Sequence, residues 1–152
     1  MKVLFLVLFM LTGGISVLAQ TENPNFKKKL ADSLGADDYG MRMYILVILK
    51  TGENKNINTK TQDSLFRGHL ENIKRLANEG KLIVAGPVSK NDKNYEGIFI
   101  LNAKTLNEAE ELLNTDPAIK ARLLATELYG WYGSAALPLY LKYQDDIKKK
   151  DF

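Results

Sequence analysis

The chain has 152 residues, enough for one domain with a buried core and short for two. Hydrophobic residues make up 45% and charged residues 26%, which argues against general disorder. The 21 basic and 18 acidic residues leave a formal charge of +3, without the clustered basic face that nucleic-acid binding needs. The absence of cysteine excludes disulfides, thiol catalysis, a cysteine-linked lipid anchor and any cysteine metal site.

Residues 1–19 open with Lys2, continue through an apolar run from Val3 to Leu11, and end in Val17-Leu18-Ala19. This is the layout of a signal peptide cut after Ala19, so the protein is expected to be exported, to the periplasm or beyond. Gly13, Gly14 and Ser16 interrupt the run, whereas a membrane span needs about 20 predominantly apolar residues; no stable membrane anchor is expected after cleavage. Residues 20–38 read as an N-terminal tether with a short helix near Phe26–Ser33, and residues 39–137 read as the domain.

The β-branched apolar run from Met41 to Leu49, closed by Gly52 and Asn54, predicts a central strand. From Thr61 to Glu79, Leu65, Phe66, Leu70, Ile73, Leu76 and Ala77 recur at spacings of three and four before Gly80, which predicts a helix. Leu82–Pro87 and Tyr95–Leu101 read as a hairpin around the polar stretch Ser89–Asn94. A second helix follows over Leu106–Asn114, capped by Thr105 or Asn107. Asp116-Pro117 starts a short helical turn through Ala121, and Leu123–Trp131 is the last strand. The order βαββαβ predicts an α+β, ferredoxin-like antiparallel sheet with helices on one face. Residues 138–152 form a C-terminal extension, and Ala135–Lys149 is apolar enough to pack on the domain or on a partner.

His69, the only histidine, lies four residues after Leu65 and four before Ile73, which turns it towards the core side of its helix. A satisfied structural histidine and a proton shuttle both fit that position. Asp116 before Pro117 is a common helix cap, and Gly86-Pro87 taken alone is a strand end. Trp131, Tyr132, Tyr140 and Tyr143 suit a subunit interface better than a ligand cage. Lys27–Lys29 and Lys148–Lys150 read as solvated termini. One histidine without cysteine is a poor start for a metal site, and no phosphate loop or dinucleotide fingerprint occurs, so no metal and no cofactor are expected.

Taken in order, Gly68-His69-Leu70-Glu71-Asn72-Ile73, Gly80-Lys81-Leu82, Ala85-Gly86-Pro87, Gly97-Ile98-Phe99-Ile100 and Asp116-Pro117-Ala118-Ile119 resemble the YciI-like (YCII-related) family from Tyr44 to Leu137. The resemblance implies a ferredoxin-like fold pairing into a dimeric α+β barrel, with a His–Asp dyad, here His69 and Asp116, in a cleft between sheet and helices. It also implies proton-transfer chemistry of dehydrochlorinase or lactone-isomerase type on a small organic ligand. In that chemistry His69 is general acid or base, Asp116 fixes its tautomer and favours the imidazolium, and Gly86-Pro87 shapes the pocket wall. Relatives often carry Ala-Gly after the Asp-Pro turn where this chain has Ala121-Arg122, so Arg122 either binds an anionic substrate or faces solvent. The expectation is a lyase or isomerase working as a homodimer without a cofactor; the alternative is a dimeric ligand-binding or accessory module that catalyses nothing.

Overall fold

A computed structural model describes residues 23–150. Residues 1–19, expected from the sequence to be a signal peptide, lie outside the described residues. Among those described, no helix is long and apolar enough to cross a membrane.

The elements run α1 (Lys28–Leu34), β1 (Met41–Thr51), α2 (Thr59–Asn78), β2 (Leu82–Pro87), β3 (Tyr95–Leu101), α3 (Leu106–Leu113), α4 (Pro117–Lys120) and β4 (Leu124–Ser134), followed by a 3-10 helix (Leu137–Tyr143) and α5 (Gln144–Ile147). The strands form one antiparallel sheet in the order β2-β3-β1-β4, the ferredoxin-like arrangement that the element order predicts. Regular structure begins before Tyr39, because α1 is tied to the sheet by Arg42, whose guanidinium donates to the Leu34 carbonyl at 3.0 Å.

Strand β4 continues three residues past Trp131. It pairs with β1 residue for residue from Met41↔Ser134 to Thr51↔Leu124, so its length follows its partner. Gly133 lies within this extension, paired with Arg42. The Trp131 ring lies where a Cβ at 133 would be, 2.3 Å from it, so a side chain there would displace the indole. The indole is then free to pack on Tyr44, with ring centroids 5.8 Å apart.

Helices α2 and α3 lie on one face of the sheet. Leu76, Ala109 and Leu113 join Ile45, Val47, Leu49, Phe99 and Leu101 in the main core. Burial of each large aliphatic side chain here stabilises by about 1.5–3 kcal/mol. The other face carries a smaller cluster of Tyr44, Ile83 and Ile100. Part of that face is covered by the C-terminal 3-10 helix, whose Leu137 and Leu141 pack on the cluster while the Tyr140 hydroxyl donates to the Ile83 carbonyl on edge strand β2. The C-terminal extension therefore packs on its own domain.

Gly68 sets how closely α2 approaches α4. A Cβ at this position would sit 2.7 Å from Cγ of Pro117, inside contact distance. Alanine in a helix interior normally gains about 1 kcal/mol over glycine, but overpacking against a rigid ring costs about 1–3 kcal/mol. Gly68→Ala is expected to lose stability on balance, by up to about 2 kcal/mol in urea unfolding. A stabilised variant would show that the two helices separate freely.

Asp37 organises the approach to β1. Its carboxylate accepts the Tyr39 and Met41 amides, each at 2.9 Å, and the Tyr132 hydroxyl. The Tyr132 hydrogen bond and then the Met41 amide hold the Asp37 carboxyl below its usual range, and the same contact pushes the Tyr132 hydroxyl up to about 12. Asp37 contributes stability above the unfolded value of 3.8 and loses it as pH falls through its lower folded value. Tyr132 contributes stability below 10.0 and loses it as pH rises towards about 12. The stability difference between wild type and Tyr132→Phe should therefore be widest at intermediate pH and narrow at both extremes. A difference flat across the whole range would remove the tie from the account.

Candidate functional site

The buried polar side chains among the described residues number three, and all belong to one junction: His69 at 6% exposure, Asn72 at 8% and Asp116 at 0%. Asn58 caps the start of α2 by accepting the Thr61 amide at 3.0 Å. From there the helical period places His69, Asn72 and Leu76 on the buried face. Asp116 is the N-cap of α4: Oδ1 accepts the amides of Ala118 at 2.9 Å and Ile119 at 3.4 Å. Pro117 at the first helical position fixes the turn and meets Gly68.

Asp116 Oδ2 faces His69 Nδ1 at 2.6 Å, across 47 positions of sequence. A contact this short between an acid and an imidazole is a charge-assisted or strongly polarised hydrogen bond. With Nδ1 engaged by the carboxylate, Nε2 is the ring nitrogen outside the pair. The imidazole stacks on Phe99 of β3, centroids 5.9 Å apart at 20°, and meets the edge of Phe66 at 5.8 Å and 63°. The ring's hydrogen bond runs through Nδ1. Among the described residues no buried side-chain nitrogen or oxygen lacks a partner, so the small exposure of His69 includes Nε2.

The exposed neighbours lie along the edge strand and on α2. In an antiparallel sheet, paired residues share a face. Ala85 pairs with Phe99 and Pro87 with Gly97, so Ala85 and Pro87 share the helix side of β2. Phe99 and Gly97 are buried, yet Ala85 and Pro87 are exposed, because β2 is an edge strand. On α2, Phe66 and Leu70 flank His69 with 45% and 41% exposure. Gly86, paired with Ile98, belongs to the opposite face of the sheet.

The structure brings His69 and Asp116 together and sets Arg122 apart from them. Arg122 lies past the far end of α4 from Asp116, exposed, in a left-handed backbone conformation with φ of 55°. Its carbonyl accepts the Asn54 amide at 3.1 Å. It lines an open surface hollow with Gly52, Glu53, Ile119 and Thr126; a second hollow lies by Thr51, Asn54, Ile57 and Leu123. Neither includes His69 or Asp116. Among the described residues, no three of His, Cys, Asp or Glu are grouped to hold a metal ion.

Sequence reasoning assigned no role to Asn72, Gly68 or Phe99. The spacing of Asn72 three residues after His69 was the available signal, since it puts both on one helical face.

No curated protein matches this chain. A solved structure of 5-chloro-2-hydroxyhydroquinone dehydrochlorinase from Burkholderia phenoliruptrix, in complex with 2,5-dihydroxybenzoquinone, is similar at 23% identity with a TM-score of 0.42, over 57% of this chain and 92% of that one. The YCII-related domain matches residues 43–130, a span that starts in β1, ends in β4 and contains both His69 and Asp116. The match covers more than half of the chain, in agreement with the motif order read from the sequence, and the chain therefore belongs to the YCII-related domain family.

Proposed function

We propose that this protein is an exported lyase or isomerase that moves a proton on a small organic molecule, with His69 as general acid or base and Asp116 as its orienting carboxylate. The observation that carries the reading is the asymmetry of the imidazole: Nδ1 is committed to Asp116 at 2.6 Å, and Nε2 is unpartnered and not fully buried. A histidine kept only for packing is better served by hydrogen bonds on both nitrogens. A general acid or base needs one nitrogen held and the other available. Phe66, edge-on to the imidazole, and Ala85, paired with the Phe99 on which the imidazole stacks, are exposed apolar groups that suit an uncharged or delocalised ligand.

A binding module is the second reading, favoured by the 6% exposure of His69 and by the two hollows that lie elsewhere. Screening hydroxyquinones, halogenated hydroquinones and unsaturated lactones by thermal shift identifies ligands under either reading, since a compound that binds the folded chain raises its melting temperature. His69→Gln separates them. Glutamine keeps an amide near Asp116, so the fold is retained, and turnover should fall by about 10²- to 10⁴-fold. Unchanged turnover with altered affinity would leave the binding module standing and end the enzymatic one.

The assembly proposed is a homodimer. Leu46, Ile48 and Ile98 on the second sheet face are partly buried, Tyr129 beside them is 50% exposed, and the C-terminal 3-10 helix covers the cluster above. A sheet face of this composition is ordinarily covered by another layer. An intact mass beginning at Gln20 and a sedimentation mass of two chains are the expected results for exported, purified protein. A full-length or single-chain mass would count against the corresponding part.

A further inference from the structure

We infer that Asn72 is a positioning residue, which with Thr115 and Arg75 holds α2 against the turn before α4 so that His69 and Asp116 meet. The inference rests on the proton-transfer reading for its purpose, but its geometry stands independently. Asn72 is the third buried polar side chain of the junction, and neither capping nor the contact of His69 with Asp116 accounts for it.

The network is closed on itself. Arg75 Nη2 donates to Asn72 Oδ1 at 2.8 Å and to Thr115 Oγ1 at 2.8 Å. Thr115 Oγ1 lies 3.0 Å from Asn72 Oδ1 and 2.6 Å from the Leu112 carbonyl, with one proton for these two acceptors. Guanidinium offers only donors, so the Asn72 atom facing it must be its oxygen. Arg75 is steadied from behind by Glu79, with Nη1 at 2.8 Å and 3.0 Å from the two carboxylate oxygens.

Position gives the network its consequence. Asn72 and Arg75 follow His69 on α2 by three and six residues, and Thr115 immediately precedes Asp116. On the other side of His69, Gly68 sits against Pro117, which immediately follows Asp116. The imidazole and the carboxylate are thus bracketed by a close apolar contact on one side and a polar clamp on the other. A shift of one element along the other would have to break the clamp before it lengthened the 2.6 Å contact.

The test uses the only histidine of the chain, so its ring N–H signal is assigned without ambiguity. In the ¹⁵N-labelled full domain, a ring proton held by a carboxylate gives a far-downfield resonance protected from water. The expected result is that Asn72→Ala and Thr115→Val lose that resonance to exchange while their amide spectra remain those of folded protein. Asn72→Asp and Thr115→Ser, which keep the acceptor and the hydroxyl, should retain it. A variant that merely loosens packing would not sort by hydrogen-bonding group in this way. Survival of the resonance at the wild-type exchange rate in both Asn72→Ala and Thr115→Val would overturn the inference, and so would its absence from wild type. Unfolding of both variants would do the same, since the network would then serve the fold and not the pair. Failure of the proton-transfer reading shows separately, as turnover that survives His69→Gln.

Discussion

A carboxylate with no solvent exposure must have both oxygens satisfied, and the junction of α2 and α4 is built around that requirement. Asp116 meets it by dividing its two oxygens between tasks. Oδ1 takes the amides that open α4, a purely local contact, and Oδ2 takes His69 from a helix 47 residues away. The local contact fixes the direction in which the carboxylate presents Oδ2 to the distant one. The imidazole then needs no search to find its partner, only a helix lying at the right height.

The pair adds little to the stability of the fold. Removing an acid and a base from water costs several kcal/mol per charge, and apolar replacements of similar volume are often neutral or better. Ile45, Val47, Leu76 and Leu101 carry the core without help from the junction. The buried polar side chains among the described residues are confined to this one spot, where apolar packing would serve stability as well. Asn72 adds a third buried polar group to the same junction, its desolvation offset by the hydrogen bond from Arg75.

Much of this was legible in the sequence, and the limits have physical causes. The four strands and two main helices follow from periodicity, and the inward turn of His69 follows from its spacing to Leu65 and Ile73. Asp116 announces itself as a cap through Pro117. That cap and histidine share one hydrogen bond is a tertiary fact, beyond any local period, and here only the family resemblance joined them. The extension of β4 past Trp131 was hidden for a similar reason: the tight fit of Gly133 belongs to the ring of Trp131, two residues back along the same strand. Gly68 was equally opaque, since a glycine within a helical pattern reads as a weakness until Pro117 is seen against it. The placement of Arg122 depended on a left-handed backbone that no residue pattern forecasts for arginine.

The sheet order explains why the junction is at the surface at all. Were β2 an inner strand, a further strand and its covering helix would close over Phe99, and the imidazole stacked on it would be sealed. As an edge strand β2 leaves Ala85 and Pro87 open to solvent on the helix side, while β1 and β3 beneath α2 remain fully packed. The histidine therefore occupies the boundary between a closed core and an uncovered margin. Its Nδ1 edge takes the rigidity of the core, and its Nε2 edge takes the accessibility of the margin. Phe66, half-exposed and edge-on to the ring, stands at that margin. Rigid support behind thus leaves a nearly buried imidazole at the edge of the fold without loosening the core that holds it.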